Sequence, residues 1–366
     1  MHRRTFLEQT AKSGLAMGLA PSLAAVTSAH TTHASPARVS SVPRPLIMDA
    51  MGELRAEYEP AIVRDMLGSG IRSITVTLCD PKPVGAEAVE AAVAGLMEYD
   101  RLVDEHPHFY LRATAVAQVD EAVRSGRMAV FYLYQNTVQF GKDLDRVDMF
   151  YRLGLRSCQL TYNDKNHVGA GCRAEGGLTE FGRATIDRMN RVGMLVDLSH
   201  ANMDTMAGAI AASRMPVHIS HTACMTVHQN VRNTTDANLR ALASAGGVVG
   251  ICQMRPFLTT KKTDNLDAYI DHLDHAVKVA GIEHVCIGSD RDHRVIKLTP
   301  EYIAELKREE GSQVADADLP YFIEALNGPR RMEVVWSALA KRGYPVGDIE
   351  RIMGGNLYRL YREVMG

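Results

Sequence analysis

The sequence predicts a single (β/α)8 TIM-type barrel, and three observations predict it. Eight short apolar runs start near residues 46, 71, 128, 157, 195, 217, 247 and 285. Segments with apolar residues at helical spacing lie between most of them, and most runs stop at a polar or ligand-type side chain. Alternation of this kind makes a parallel sheet with helices outside it, and eight such units close into a barrel whose working residues sit at the C-terminal strand ends. A length of 366 residues suits one such barrel with insertions.

Taken in order, Leu46-Ile47-Met48 runs into Asp49-Ala50-Met51-Gly52-Glu53, and the run 71–78 ends in Cys79-Asp80-Pro81. A helix is expected over 87–103, and an extra strand and helix over 109–114 and 118–125. The run 128–134 stops at Gln135-Asn136; a helix over 143–153 leads to the run 157–161, which opens onto Tyr162-Asn163-Asp164. The segment 168–177 is glycine-rich but lacks GxGxxG and GxxxxGK[ST], so it is expected to be a plain mobile loop. A helix then runs to Arg191. The stretch 195–222 is strand, helix, strand, and both of its strands finish in Ser-His, at Ser199-His200 and Ser220-His221. Helices over 236–244 and 266–279 flank the run 247–252, which precedes Gln253, and 285–289 ends in Asp290-Arg291-Asp292.

Two neutral imidazoles at equivalent strand ends suit a divalent cation such as zinc. Asp290, after a glycine-containing strand, is placed to bind that metal or to exchange a proton with water. The strand ends would present Met51/Glu53, Asp80, Gln135, Tyr162, His200, His221, Gln253 and Asp290 to one face.

Composition bounds the partner. A formal net charge of -2 without a basic stripe excludes a polyanion-binding protein and leaves a small molecule. Six cysteines without CxxC or zinc-ribbon spacing read as thiols, most of them buried, rather than a disulfide framework. Residues 1–29 resemble a twin-arginine-type signal peptide: Arg3-Arg4, then Lys12, a weakly apolar segment over 13–26, and small residues at Thr27-Ser28-Ala29. That segment is too short, and too interrupted by Gly14, Gly18 and Pro21, to span a bilayer. Export to the periplasm or medium is therefore expected, with no membrane span after cleavage, a linker over 30–45 and the barrel over 46–366. The sequence sets no subunit number; a homodimer is compatible with it.

Asp197-Leu198-Ser199-His200, Ile219-Ser220-His221-Thr222, Arg232-Asn233, Gly288-Ser289-Asp290-Arg291-Asp292, the GLTEFG of 177–182 and Gly354-Gly355-Asn356 together resemble the membrane (renal) dipeptidase family. The resemblance runs from about Leu46 to the C-terminus. It implies a (β/α)8 barrel with two zinc ions and a bridging Glu, hydrolysing dipeptides that carry a free C-terminal carboxylate. By position it makes His200 and His221 ligands of one zinc, Asp290 the aspartate of the other, and Arg232 the receptor of the substrate carboxylate, for which a guanidinium is well shaped. Three positions depart from the family pattern. Met51-Gly52-Glu53 stands where His-x-Asp is expected, Gln135 where the bridging Glu is expected, and Tyr162 where a His steadies the tetrahedral intermediate. An amide binds zinc weakly, and two cations without a bridging anion repel each other. The expectation is thus one zinc per chain, with a second site weak or empty, in an exported metallohydrolase acting on a dipeptide or similar small amide. The ligands would come from His200, His221, Asp290, Glu53 and Gln135, with Asp290 and Tyr162 catalytic and Tyr162 also contacting substrate. The alternatives are a barrel that binds a small molecule without hydrolysing it, or a tailoring enzyme for a secreted peptide metabolite.

Overall fold

The computed structural model describes residues 46–310 and 314–366. The segments read above as signal and linker lie outside the described residues. Nine parallel strands are present: β1 (Ile47–Gly52), β2 (Ile71–Thr77), β3 (Tyr110–Arg112), β4 (Met128–Tyr134), β5 (Leu155–Gln159), β6 (Leu195–Asp197), β7 (His218–Thr222), β8 (Val248–Ile251) and β9 (Val285–Ile287). Eight of them close a barrel in the order β1-β2-β4-β5-β6-β7-β8-β9, with β9 returning to β1. The closure that depends most on register is β2 against β4, where Ser73 faces Ala129 and Thr77 faces Leu133.

The eight expected runs are these eight barrel strands. The extra strand at 110–112 is real but stands outside the ring. It pairs with Met128–Val130 of β4, and β5 takes over the partnership from Tyr132 onward. Unlike the fully buried three-residue strands β6 and β9, β3 has two half-buried positions, and it extends one edge instead of taking a barrel place. The expected helices appear within a few residues of their predicted ends, for example at Gly85–Glu105 and Leu266–Ala280. Side-chain caps fix three of them, as Thr179, Asn202 and Thr235 accept from the backbone N–H of Gly182, Thr205 and Asn238. No helix among the described residues is long and apolar enough to cross a membrane.

The barrel floor is sealed by the last helix, Asn356–Met365. Leu357, Leu360, Tyr361 and Val364 pack with Met48, Ala129, Leu195 and Val248, which stand at or near the start of their strands. Inside the floor the Tyr361 hydroxyl lies 2.6 Å from Thr75 Oγ1. The Asn356 amide donates to the carbonyls of Ile282 and Val285 at 2.7 and 2.8 Å, which ties this helix to the entry of β9. With the floor filled by apolar side chains, the other end is left to chemistry.

Candidate active site

Two aspartates inside the barrel pin adjacent strands together just below the site. Asp197, at the end of β6, accepts from the backbone N–H of Ser199 and Ser220, both at 3.0 Å, and from the Ser220 hydroxyl at 2.6 Å. Asp49 on β1 does the same for β9, accepting from the Ser289 N–H at 2.8 Å and the Ser289 hydroxyl at 2.5 Å. Each tie ends on the serine that precedes a candidate site residue, His221 or Asp290. Gly288 lets β9 come close, since a Cβ there would collide with the carbonyl oxygen of Ser220. The two carboxyls respond differently to burial. Burial lifts Asp49 to about 6 against the hydrogen bonds from Ser289 and the charge of Arg331. Burial also works on Asp197, but His218, His221 and Ser220 outweigh it and hold that carboxyl below its ordinary value.

These ties settle the protonation pattern of the histidines. The Ser220 hydroxyl gives its proton to Asp197, so at 2.8 Å from His221 Nδ1 it can only accept, and Nδ1 of His221 carries the hydrogen. His200 Nδ1 lies 2.8 Å from Asn163 Oδ1, an acceptor, and so also carries its hydrogen. Both Nε2 atoms are therefore bare lone pairs, and they face each other 3.1 Å apart. Burial depresses the basicity of both rings, most strongly for His200, where Arg232, His221 and Arg173 add to the effect. Two neutral imidazoles with converging lone pairs repel unless a cation lies between them. A spacing of 3.1 Å fits two metal–nitrogen bonds of roughly 2.0–2.1 Å meeting at about 98°. The donor set fits one divalent ion.

The backbone is strained here as well. His200 and Asp290 have φ of 65° and 54°, in the left-handed region that non-glycine residues avoid. Such residues cost about 1–3 kcal/mol each and persist where the surroundings over-determine them. Here those surroundings are Cys172, whose N–H donates to the His200 carbonyl at 2.7 Å, and Met51, whose carbonyl accepts from the Asp290 N–H at 2.8 Å.

Above the histidines opens a cavity of about 450 Å³, large enough for a small ligand. Met51, Glu53, Asp80, Gln135, Tyr162, His200, Arg232 and Asp290 all line it. His221 and Gln253 do not: His221 lies fully buried beneath His200, and Gln253 points its amide toward the Tyr269 hydroxyl at 3.4 Å. Tyr162 stacks on the His200 ring at 4.2 Å between centroids and 25° between planes. Arg232 is only 4 % exposed, yet neither Nη1 nor Nη2 has a hydrogen-bond partner. A buried cation with both donors unsatisfied is costly, and its guanidinium faces the cavity wall beside Phe257, 5.4 Å from that ring centre.

The expected five-residue ligand set is not gathered. Among the described residues no three His, Cys, Asp or Glu side chains meet closely enough to hold a metal. Glu53 lines the cavity already engaged in an ion pair. Its carboxylate is taken by Arg55, with Nε at 2.9 Å and Nη2 at 2.6 Å, and the same guanidinium reaches Asp292 at 3.1 Å. Both nitrogens donate to Oε2, so the ion pair lowers the charge that Glu53 could offer a metal. Asp290 shares the cavity with His200 and its charge reaches His221, but it does not complete a three-ligand cluster. Gln135 lines the cavity as a neutral amide.

The segment 168–177 is not a plain mobile loop. Its Cys172 and Arg173 N–H groups donate to the carbonyls of His200 and Asn163, and the Asn202 amide donates to the carbonyls of Ala174 and Gly176. Asn163, Ser220, Asp197 and Arg55 are site residues that the sequence alone did not single out. The Asp of Asp197-Leu198-Ser199-His200 was the available signal. All six cysteines are free, and four of them are buried.

Comparison with known proteins bears on the fold and the family. Residues 48–310 match the family model for membrane dipeptidase (peptidase family M19). Dipeptidase verJ of Clonostachys rogersoniana is 32% identical over 210 residues, which is 56% of this chain and 54% of that protein, so the chain spans about half the length of this curated relative. Among solved structures, an amidohydrolase from Pseudomonas aeruginosa superposes with a TM-score of 0.77 at 25% identity, covering 88% of this chain and 97% of that one. A metallo peptidase from Rhodobacter sphaeroides, liganded with a phosphinate mimic of the dipeptide L-Ala-D-Ala, gives 0.75 at 19% identity, covering 88% and 99%. With the family model spanning most of the barrel, the chain belongs to the membrane dipeptidase family of metallo-dipeptidase hydrolases.

Proposed function

We propose that this chain hydrolyses dipeptides, or similar small amides with a free C-terminal carboxylate, using a single divalent ion held by His200 and His221. The observation that carries the reading is the pair of bare Nε2 atoms facing each other at 3.1 Å. Bound there, zinc would supply Lewis acidity toward water and toward the scissile carbonyl. The chain's own residues do the rest. Arg232, with both amino groups unsatisfied, receives the substrate carboxylate in a bidentate pair and so fixes the distance from that carboxylate to the peptide bond. Asp290 takes the proton from the attacking water and returns it to the departing amine nitrogen. Tyr162, held by its stack on His200, donates its hydroxyl proton in a hydrogen bond to the carbonyl oxygen as charge develops there. The phosphinate dipeptide mimic on the Rhodobacter sphaeroides relative supports a dipeptide-sized ligand in this cavity. Export by the twin-arginine route belongs to the same proposal and rests on Arg3-Arg4 and the segment after them.

The test is a pair of substrates. The zinc-loaded chain is expected to cleave a free dipeptide and to cleave the same dipeptide amidated at its C-terminus at least about a hundredfold less efficiently, the value of one desolvated charge-assisted pair. Equal rates on the two would refute the carboxylate reading. Zinc-dependent binding without turnover of either would favour the non-hydrolytic barrel.

A further inference from the structure

Besides Arg232 the cavity is lined by three cations that the reaction outlined above does not use, Arg55, Lys82 and Arg173, and of these Arg173 is the one whose charge acts on His200. Arg173 lines it from the pinned loop, and its backbone is fixed by the bond to Asn163, whose side chain in turn holds His200. Its side chain is exposed, and among the described residues its guanidinium has no hydrogen-bond or ion-pair partner. This contrasts with Arg55 on the same cavity, which is neutralised by Glu53 and Asp292. Arg173 and Arg232 both act on His200 electrostatically, so both charges lie at the histidine end. The acids Glu57, Asp80 and Glu98 that line the cavity come from other segments, after β1, after β2 and on the helix Gly85–Glu105. Beside Asp290, the wall carrying Arg232 and Arg173 thus offers one cation more than a single carboxylate needs.

We propose that the C-terminal residue of the preferred substrate is itself acidic, its α-carboxylate on Arg232 and its side-chain carboxylate on Arg173. The proposal rests on the reading of Arg232 as the carboxylate receptor. A mono-carboxylate would leave Arg173 solvated at the mouth, whereas an aspartate or glutamate side chain reaches a second anchor a few bonds from the first. Because Arg173 is exposed, the second pair contributes about 1 kcal/mol at most, a preference of up to about fivefold.

Two measurements decide it. In the zinc-loaded chain, kcat/KM for Ala-Asp or Ala-Glu should exceed that for Ala-Ala by up to about fivefold, with Ala-Lys lower still. Arg173→Ala should collapse the acidic-to-neutral ratio toward one, and Arg173→Glu should invert the ranking in favour of Ala-Lys. Calorimetric binding of acetyl-glutamate, acetyl-aspartate and acetyl-alanine needs no turnover and should show the same ratio and the same response. Flat ratios in the unmodified chain, or an acidic preference that survives Arg173→Glu, would overturn this inference alone. If none of the acetyl-amino acids binds, the carboxylate site on Arg232 falls, and the present inference with it.

Discussion

Replacing His200 or His221 by Ala is expected to reduce bound metal from about one ion per chain to below one tenth. Each ring offers a single bare nitrogen, and the two nitrogens converge at 3.1 Å, so neither side chain can be replaced by another ligand in the described structure. Losing half of a two-histidine site removes the chelate, and the remaining imidazole binds as weakly as an isolated one. A metal that binds only the folded state stabilises it by about 4 kcal/mol when free metal stands at a thousand times its Kd. The unmodified protein should therefore lose several degrees of Tm on chelation, while His200→Ala and His221→Ala start low and do not respond to chelator. Equal chelator shifts in all three proteins would show that the ion sits elsewhere.

Substitution of Arg232 should separate stability from function. The buried guanidinium has no partner on Nη1 or Nη2, so in the ligand-free protein it is a liability. Arg232→Met, of similar length and apolar, should raise the stability of the ligand-free protein by about 1–3 kcal/mol, the scale of one buried unsatisfied polar group. The same change should lower kcat/KM on free dipeptides by about 10²–10³, since a bidentate charge-assisted pair is lost. It should have little effect on the already poor amidated dipeptide, because the partner of the guanidinium is absent there. Arg232→Lys should restore less than a tenth of the loss, because an ammonium cannot form the fork. A drop in both Tm and activity would mean that Arg232 is structural.

The fold was legible because barrel strands buried on both faces leave apolar runs, and because both Ser-His endings fall at strand termini. What stayed hidden was orientation. Glu53 reads from the sequence as a free carboxylate at a strand end, but Arg55, two residues later, turns back and pairs with it. No periodicity reports a contact of that kind. The tautomers of His200 and His221 depend on Asn163 and on the Asp197–Ser220 tie, which join residues 37 and 23 positions apart. The loop 168–177 looked idle by composition because its anchoring comes from the backbone of His200 and the side chain of Asn202. The strand at 110–112 and the last helix, by contrast, were a matter of placement. Their residue types suit their structure, but only closure of β2 on β4 decides that one lies outside the ring, and only the filled floor decides where the other packs.

We propose that this barrel holds one metal where the family resemblance implies two. Met51 and Gln135 offer no anionic ligand, Glu53 has one oxygen on Arg55, and among the described residues the histidine pair is the assembled donor set. The direct measurement is metal content per chain by elemental mass spectrometry on protein purified without chelator and titrated with zinc. The account predicts saturation at one tightly held ion. In the variant carrying Met51→His, Glu53→Asp and Gln135→Glu together, it predicts a rise toward two, because ligands of one cluster act as a unit. Two ions bound tightly by the unmodified chain would contradict it.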